Sequence, residues 1–441
     1  MHDELFARLK RLRRDLDPPK PDPKPARDAL PDWFKRRLAR PGSGAELATG
    51  PEPDADRRSE LAPAATPRVK SLDAPRDLTE VMNAFGAHAE RVVRLARAER
   101  HGTWPLEAAL AARGDELAWL ANDEALRTLA LGRALFLDIE TTGLSGGAGT
   151  HVFLVGLARF DLDALEVWQG FARGPEEEAS LLATTASRIR ASDGLVTFFG
   201  KSFDRHRLQD KMRLHGIEPP FADLAHLDLY HPLKRLYAGA FADGRLATLE
   251  RALCGVVRDR DLPGSFAPAA WFDFLAGRPH LLEEVFRHNY DDVKSLVTLA
   301  AHVGSARVGR RADGTPLEGP ADARHSALAR SAVRRREWSD ALAWLACVAA
   351  PSREQELLRA ELWARTGRED DALRAVRALS ESDDAVAAHA ALAAARYASK
   401  RGLAEARAFA SRARELALRT LAGAECARVA RAAEKLADAA R

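Results

Sequence analysis

Hydrophobic and polar positions follow three regimes along the 441 residues. Short apolar runs bounded by Gly, Asp or Pro, at 134–137, 151–160, 165–171 and 195–199, predict buried strands. The second and third are joined by the short stretch DLDA, which predicts a hairpin, and 223–229 predicts a fifth strand. Pro175 followed by Glu176, Glu177 and Glu178 predicts a helix start, because proline suits the first helical position and acids suit the positive end of the dipole. A second helix is expected from Asp204 to His215, stopped by Gly216. Helical spacing returns over 246–304. There Leu282, Phe286, Asn289, Val293, Leu296 and Ala300 share one face of a helix that opens at Pro279 and closes at Gly304. Residues 77–128 are expected to be helical and to cap a mixed α/β layer fold.

The flanks differ in kind. Of the 23 prolines, 12 fall in the first 75 residues, mixed with Arg, Lys and Asp. Residues 1–76 are therefore expected to be disordered, with a short amphipathic helix over 5–16. The composition of 309–322 predicts a linker. Residues 323–441 are alanine- and arginine-rich helix containing three similar segments, in which Ala341, Ala372 and Ala406 lie 31 and 34 residues apart. That interval is near the tetratricopeptide period.

The strand at 134–137 leads into two acids, Asp138 and Glu140, spaced i, i+2. Strand side chains alternate, so both carboxylates project from one face, as hard oxygen ligands for Mg²⁺ or Mn²⁺ must. Composition alone yields roughly nine acid-x-acid pairs by chance; the buried strand before this one and the Thr141-Thr142-Gly143 turn after it give it weight. Asp204 follows a second strand, at a strand-to-helix junction, where it either caps the helix or faces the first pair. His288 and Asp292 lie one helical turn apart and share a face, with Asp291 as the alternate ligand. Lys201, Arg205, Lys234 and Arg235 are candidates for phosphate contacts, and each equally suits a solvated helix position. Phe198, Phe199 and Phe203 are candidates for stacking an unpaired base, although the first two, in an apolar strand, are expected in the core; the loop 143–150 is expected as a flexible lip over a substrate channel.

Charge narrows the reading only a little. The net charge of +3 supplies no chain-wide field for nucleic acid, so binding must come from a local groove. Three widely spaced cysteines form neither a zinc pattern nor a disulfide framework, and no run is long enough to cross a bilayer; a cytoplasmic location without membrane contact is expected.

Five ordered segments carry a resemblance: LFLDIETTGLSGGAGTHVFLVGLARF, FFGKSFDRHRL, HLDLYHPLKRLY, DLPGSF and HNYDDVKSLVTL. Together they resemble the DEDD exonuclease superfamily, and within it the YprB-type ribonuclease H-like domain family. The resemblance implies a ribonuclease H-like domain, a mixed five-stranded sheet with flanking helices, over 77–308, followed by an all-α helical-repeat domain. It implies four ligands for two Mg²⁺ or Mn²⁺ ions, namely Asp138, Glu140, Asp204 and Asp292, with His288 as general base and Asp228 supporting the site. His288 stands four residues before the last aspartate, where DEDD enzymes with a histidine base use five; the YprB-type pattern has HN at this point. The implied activity is 3′–5′ exonuclease action on single-stranded ends, DNA rather than RNA, in DNA repair, with a helicase as partner of the repeats. The alternatives are a catalytically silent nucleic-acid adaptor and a structure-specific endonuclease.

Overall fold

The computed structural model describes residues 75–143, 149–258, 262, 264–278 and 280–439. Expectations for the proline-rich N-terminus, for Pro279 and for most of the 143–150 loop fall outside them. Among the described residues the order is β1 (Thr79–Asn83), β2 (Gly86–Ala96), β3 (Arg100–His101), β4 (Trp104–Pro105), α1 (Gly114–Ala121), β5 (Ala134–Thr141), β6 (Val152–Phe160), β7 (Ala164–Phe171), α2 (Glu178–Arg190), β8 (Gly194–Thr197), α3 (Asp204–Leu214), β9 (Ala225–Asp228), α4 (Tyr230–Leu236), α5 (Leu246–Cys254), α6 (Ala267–Leu275) and α7 (Leu282–Ser305). The tail adds α8 (Ala321–Arg335), α9 (Trp338–Ala346), α10 (Arg353–Arg365), α11 (Glu369–Leu379), α12 (Ala385–Lys400), α13 (Ala406–Thr420) and α14 (Gly423–Ala439).

A seven-stranded sheet runs β1-β2-β7-β6-β5-β8-β9. The five expected strands form its β7-β6-β5-β8-β9 part, with β5, β8 and β9 parallel and β6 and β7 the expected hairpin. Helices cover both faces. Phe136 faces α7 and packs with Val293 and Leu296, whereas Leu135 and Leu137 face α2 and α3 through Leu181 and Leu208.

Two expectations are corrected. Residues 77–128 are not a helical cap: β1 and β2 form a hairpin that pairs with β7 from Ala89↔Phe171 to Ala96↔Ala164 and widens the sheet. The backbone turns at Gly86, φ +115°, a conformation closed to side-chain-bearing residues. Gly304 does not end the last helix, which runs on to Ser305. Its bare Cα admits the chain at Ala112, since a Cβ there would sit 2.4 Å from the Ala112 Cβ.

The tail is joined to the α/β part through α1. Trp119 lies 5.5 Å from the Trp344 ring, donates its indole N–H to the Glu337 carboxylate at 3.1 Å, and carries Arg307 and Arg335 over its faces at 4.5 and 4.7 Å. Segment 309–320 lies along the same part, with Leu317 buried and Arg311 over Trp104. Beyond it the helices pack as successive pairs, and Ala341, Ala372 and Ala406 are all buried, in α9, α11 and α13.

Candidate active site

Parallel strands β5, β8 and β9 end along one edge of the sheet, and the acids gather there. Open α/β sheets place their sites at such carboxyl ends. Alternation along β5 puts Asp138 on the Phe136 face, beneath α7, and Glu140 next to it. The β5–β6 register shifts between Glu140 and Thr141, a local irregularity of the kind that re-aims side chains beside active sites. Asp204 is the first residue of α3 with Phe203 at the capping position, so its carboxylate is not spent as the cap. Asp228 ends β9, and α7 brings His288, Asn289 and Asp292 across.

Electrostatics show that these groups face one another. Burial, then the charge of Asp292, pushes the Asp138 carboxyl up to about 7. Glu140 is raised well above the usual carboxylate range by burial and then by Asp138, and Asp204 by burial, Asp138, Asp228 and Asp292. Glu140 and Asp204, 8% and 6% exposed, have no hydrogen-bond or ion-pair partner among the described residues. Partly buried like charges of this kind are unstable without a cation or a proton. As hard oxygen donors they suit a divalent ion. Yet among the described residues no three His, Cys, Asp or Glu side chains close around a common point as a metal would require.

Asp292 shows why the ring stays open. Its Oδ1 accepts from Arg258 Nη2 at 2.5 Å, and Arg258 also makes two 2.7 Å bonds to the buried Glu250. Arg258 Nη1 approaches His288 Nδ1 at 3.3 Å, while His288 Nε2 lies 3.5 Å from Asp292 Oδ2. An arginine N–H only donates, so a bond there makes Nδ1 the acceptor and keeps the ring proton on Nε2. Asp291 is turned aside to Lys294 at 3.1 Å. The ring of Tyr290 packs against the core under the same Lys294.

Sequence reasoning missed Arg258 and Glu250, and it read Asn289 only as a core position. Asn289 is fully buried. Its Nδ2 donates to Asp138 Oδ2 at 2.8 Å, and its Oδ1 accepts from Gln169 Nε2 at 2.9 Å. Gly156 makes room, because a Cβ there would lie 2.3 Å from Asn289 Oδ1. One amide on an otherwise apolar helix face was the available signal. Replacing Asn289 by Leu strands both partners, so a loss of about 1–3 kcal/mol is expected in urea unfolding. Misorienting Asp138 is expected to cost a further ~10–100-fold in activity, as for other groups that orient metal ligands.

The expected phosphate contacts fall in different settings. Lys201 pairs with Asp123 at 2.9 Å, Arg205 donates to the Phe221 carbonyl at 3.1 Å, and Arg235 donates to the Leu120 carbonyl at 2.7 Å. Lys234 is exposed, with its Nζ 3.2 Å from the Tyr230 hydroxyl. Asp228, 3% exposed, accepts backbone N–H bonds from Phe199, Lys201 and Tyr230 and so holds the turn leading to Asp204. Phe153 is buried and stacks on Trp271. Gly264, from the fourth resembling segment, lies beside His288.

With this geometry in place, residues 135–304 match the RNase_H superfamily. The uncharacterized protein YprB of Bacillus subtilis (strain 168) is 37% identical over 170 residues, 38% of this chain and 41% of that protein. The match thus spans less than half the length of that relative. Nucleases of the ribonuclease H-like group generally use divalent metals. Among the described residues no helix is long and apolar enough to cross a membrane.

Proposed function

We propose, taking residues 135–304 as the ribonuclease H-like domain of YprB type that they are, that this protein hydrolyses phosphodiester bonds at the 3′ end of single-stranded nucleic acid. The observation that carries this reading is the grouping of Asp138, Glu140, Asp204 and Asp292, the middle two buried and without side-chain partners among the described residues, the outer two half-buried. Those four would hold two Mg²⁺ or Mn²⁺ ions. Bound there, the ions supply an activated water and stabilise the leaving oxygen.

The chain's own residues do the rest. Asn289 keeps Asp138 aimed, and Asp228 fixes the turn that delivers Asp204. His288, beside Asp292, takes the proton of the attacking water once Arg258 withdraws from Nδ1. DNA is the favoured substrate and repair the favoured role. Stacked helical pairs build concave protein-binding surfaces, so the tetratricopeptide-like tail is assigned to a protein partner, a helicase in the simplest arrangement.

A 5′-labelled single strand incubated with the full chain and Mn²⁺ tests this. Stepwise shortening from the 3′ end is expected, and a blocked 3′ end should stop it. His288→Ala is expected to slow hydrolysis by about 10²–10⁴-fold; an unchanged rate removes it as the base. One observation favours a second reading. Because Arg258 already neutralises Asp292, a silent nucleic-acid-binding adaptor also fits, and it would bind the strand without shortening it under any divalent metal. A circular strand that is cut would instead point to an endonuclease.

A further inference from the structure

Phe199 leaves β8 with φ +62°, a backbone conformation that a bulky L-residue rarely adopts. Its ring is 44% exposed, while the neighbouring Phe198 packs against the core. The expectation that both rings are buried is thus corrected for Phe199. Strained residues persist only where their surroundings over-determine them, and they cluster at working sites.

Here the constraint is Asp228. Its Oδ1 accepts the N–H of Phe199 at 2.7 Å and of Tyr230 at 3.2 Å, and its Oδ2 accepts that of Lys201 at 3.0 Å. One buried carboxylate therefore sets the backbone under two aromatic rings. Those rings meet edge to face, 5.0 Å apart at 81°. Lys234, with an exposed side chain, stands over the half-buried Tyr230 ring, 5.2 Å from its centroid, and beside its hydroxyl. The same turn runs on to Asp204 at the start of α3 and is closed by the Arg205 N–H on the Gly200 carbonyl at 3.0 Å, which sets Phe199 one tight turn from the carboxylate site.

We propose that Phe199, braced edge-on by Tyr230, forms a stacking shelf for an unpaired base of a single strand, with Lys234 meeting the strand's phosphate. The proposal deepens the nuclease reading and takes from it the position of the phosphodiester. A ring face takes any base that is not already stacked in a duplex, and an ammonium beside it suits a polyanion. An apolar protein partner would account for the ring but not for the lysine, nor for the acids behind it. The shelf therefore selects unpaired nucleic acid.

The test measures anisotropy with Mn²⁺ and a labelled phosphorothioate single strand, which resists hydrolysis, beside the same strand with abasic 3′-terminal positions. Full-length wild type, Phe199→Gly and Phe199→Trp are compared. Glycine accepts φ +62°, so Phe199→Gly removes the ring and relieves strain, and its melting temperature should not fall. Wild type and Phe199→Trp are expected to bind the intact strand about five- to a hundredfold more tightly than the abasic one. Phe199→Gly should bind both strands equally and weakly. Equal binding of the two strands by wild type, base discrimination retained in Phe199→Gly, or no binding at all overturns the shelf. Shortening of an ordinary phosphodiester strand is read separately. Base-sensitive binding without shortening removes the nuclease reading and leaves the shelf in place.

Discussion

Asp138→Asn should abolish metal-dependent hydrolysis and at the same time raise the melting temperature of the metal-free protein. The first effect follows from removing one of the four carboxylates that would hold the ions, and it should exceed the ~10⁴-fold upper range of base removal. The second follows from the titration. Asp138 is raised from 3.8 to about 7 by burial first and the Asp292 charge second. A carboxyl whose pKa is higher in the folded than in the unfolded state binds its proton more tightly when folded. Its contribution to stability is complete below the unfolded value and is lost as pH rises through about 7. Near pH 8 the ionised group then costs on the order of a few kcal/mol. An amide carries no charge and still accepts the bond from Asn289. Metal-free melts at pH 5.5 and 8 check this. Wild type should fall furthest behind Asp138→Asn at pH 8 and close only part of the gap at pH 5.5, drawing level only as pH approaches 3.8, and Mn²⁺ should reverse the order at pH 8. A wild type that gains on the variant as pH rises would show that the site is not strained by its own charge.

Arg258→Met is expected to act in two directions. Arg258, 7% exposed, is held by Glu250 and Asp292, and their negative charges stabilise its cationic form despite burial. Its removal leaves Glu250, whose carboxyl burial already raises, without a counter-charge. Breaking a buried pair from one side costs about 3–5 kcal/mol, which in a chain of this kind lowers the melting temperature by roughly 2–4 °C per kcal/mol. Asp292, however, loses its competitor, so Mn²⁺ should bind more tightly than in wild type. Adding Glu250→Leu removes the stranded charge and should recover much of the stability while keeping the tighter binding, because apolar replacement of a buried pair is often neutral or better. Urea unfolding with Mn²⁺ titration of both variants separates the two effects. Weaker Mn²⁺ binding in the recovered double variant would mean that Arg258 supports the cation site rather than occluding it.

How much could be read beforehand depended on where each interaction originates. Strands β5 to β9 were legible because their apolar runs are short, sharply bounded and followed by the acids themselves. The β1–β2 hairpin was not. Ala, Glu and Arg, whose local preference is helical, supply eight of residues 79–96, and pairing with β7 overrides that preference. The Asp138–Asn289–Gln169 chain left a faint trace, one amide among apolar helix positions. The pairing of Arg258 with Glu250 and Asp292 left none, since three distant segments meet only in the folded molecule. Phe199 was misread because its place at the end of the apolar run 195–199 argues for burial, whereas Asp228, from another strand, turns it outward.

If the four carboxylates hold two cations, equilibrium Mn²⁺ binding followed by electron paramagnetic resonance should show them. Two bound ions per chain are expected, close enough to broaden each other's spectra, and both should be lost when Asp138→Asn, Glu140→Gln and Asp204→Asn are combined. Absence of bound Mn²⁺ in wild type, or binding untouched by the triple substitution, would contradict a two-cation site.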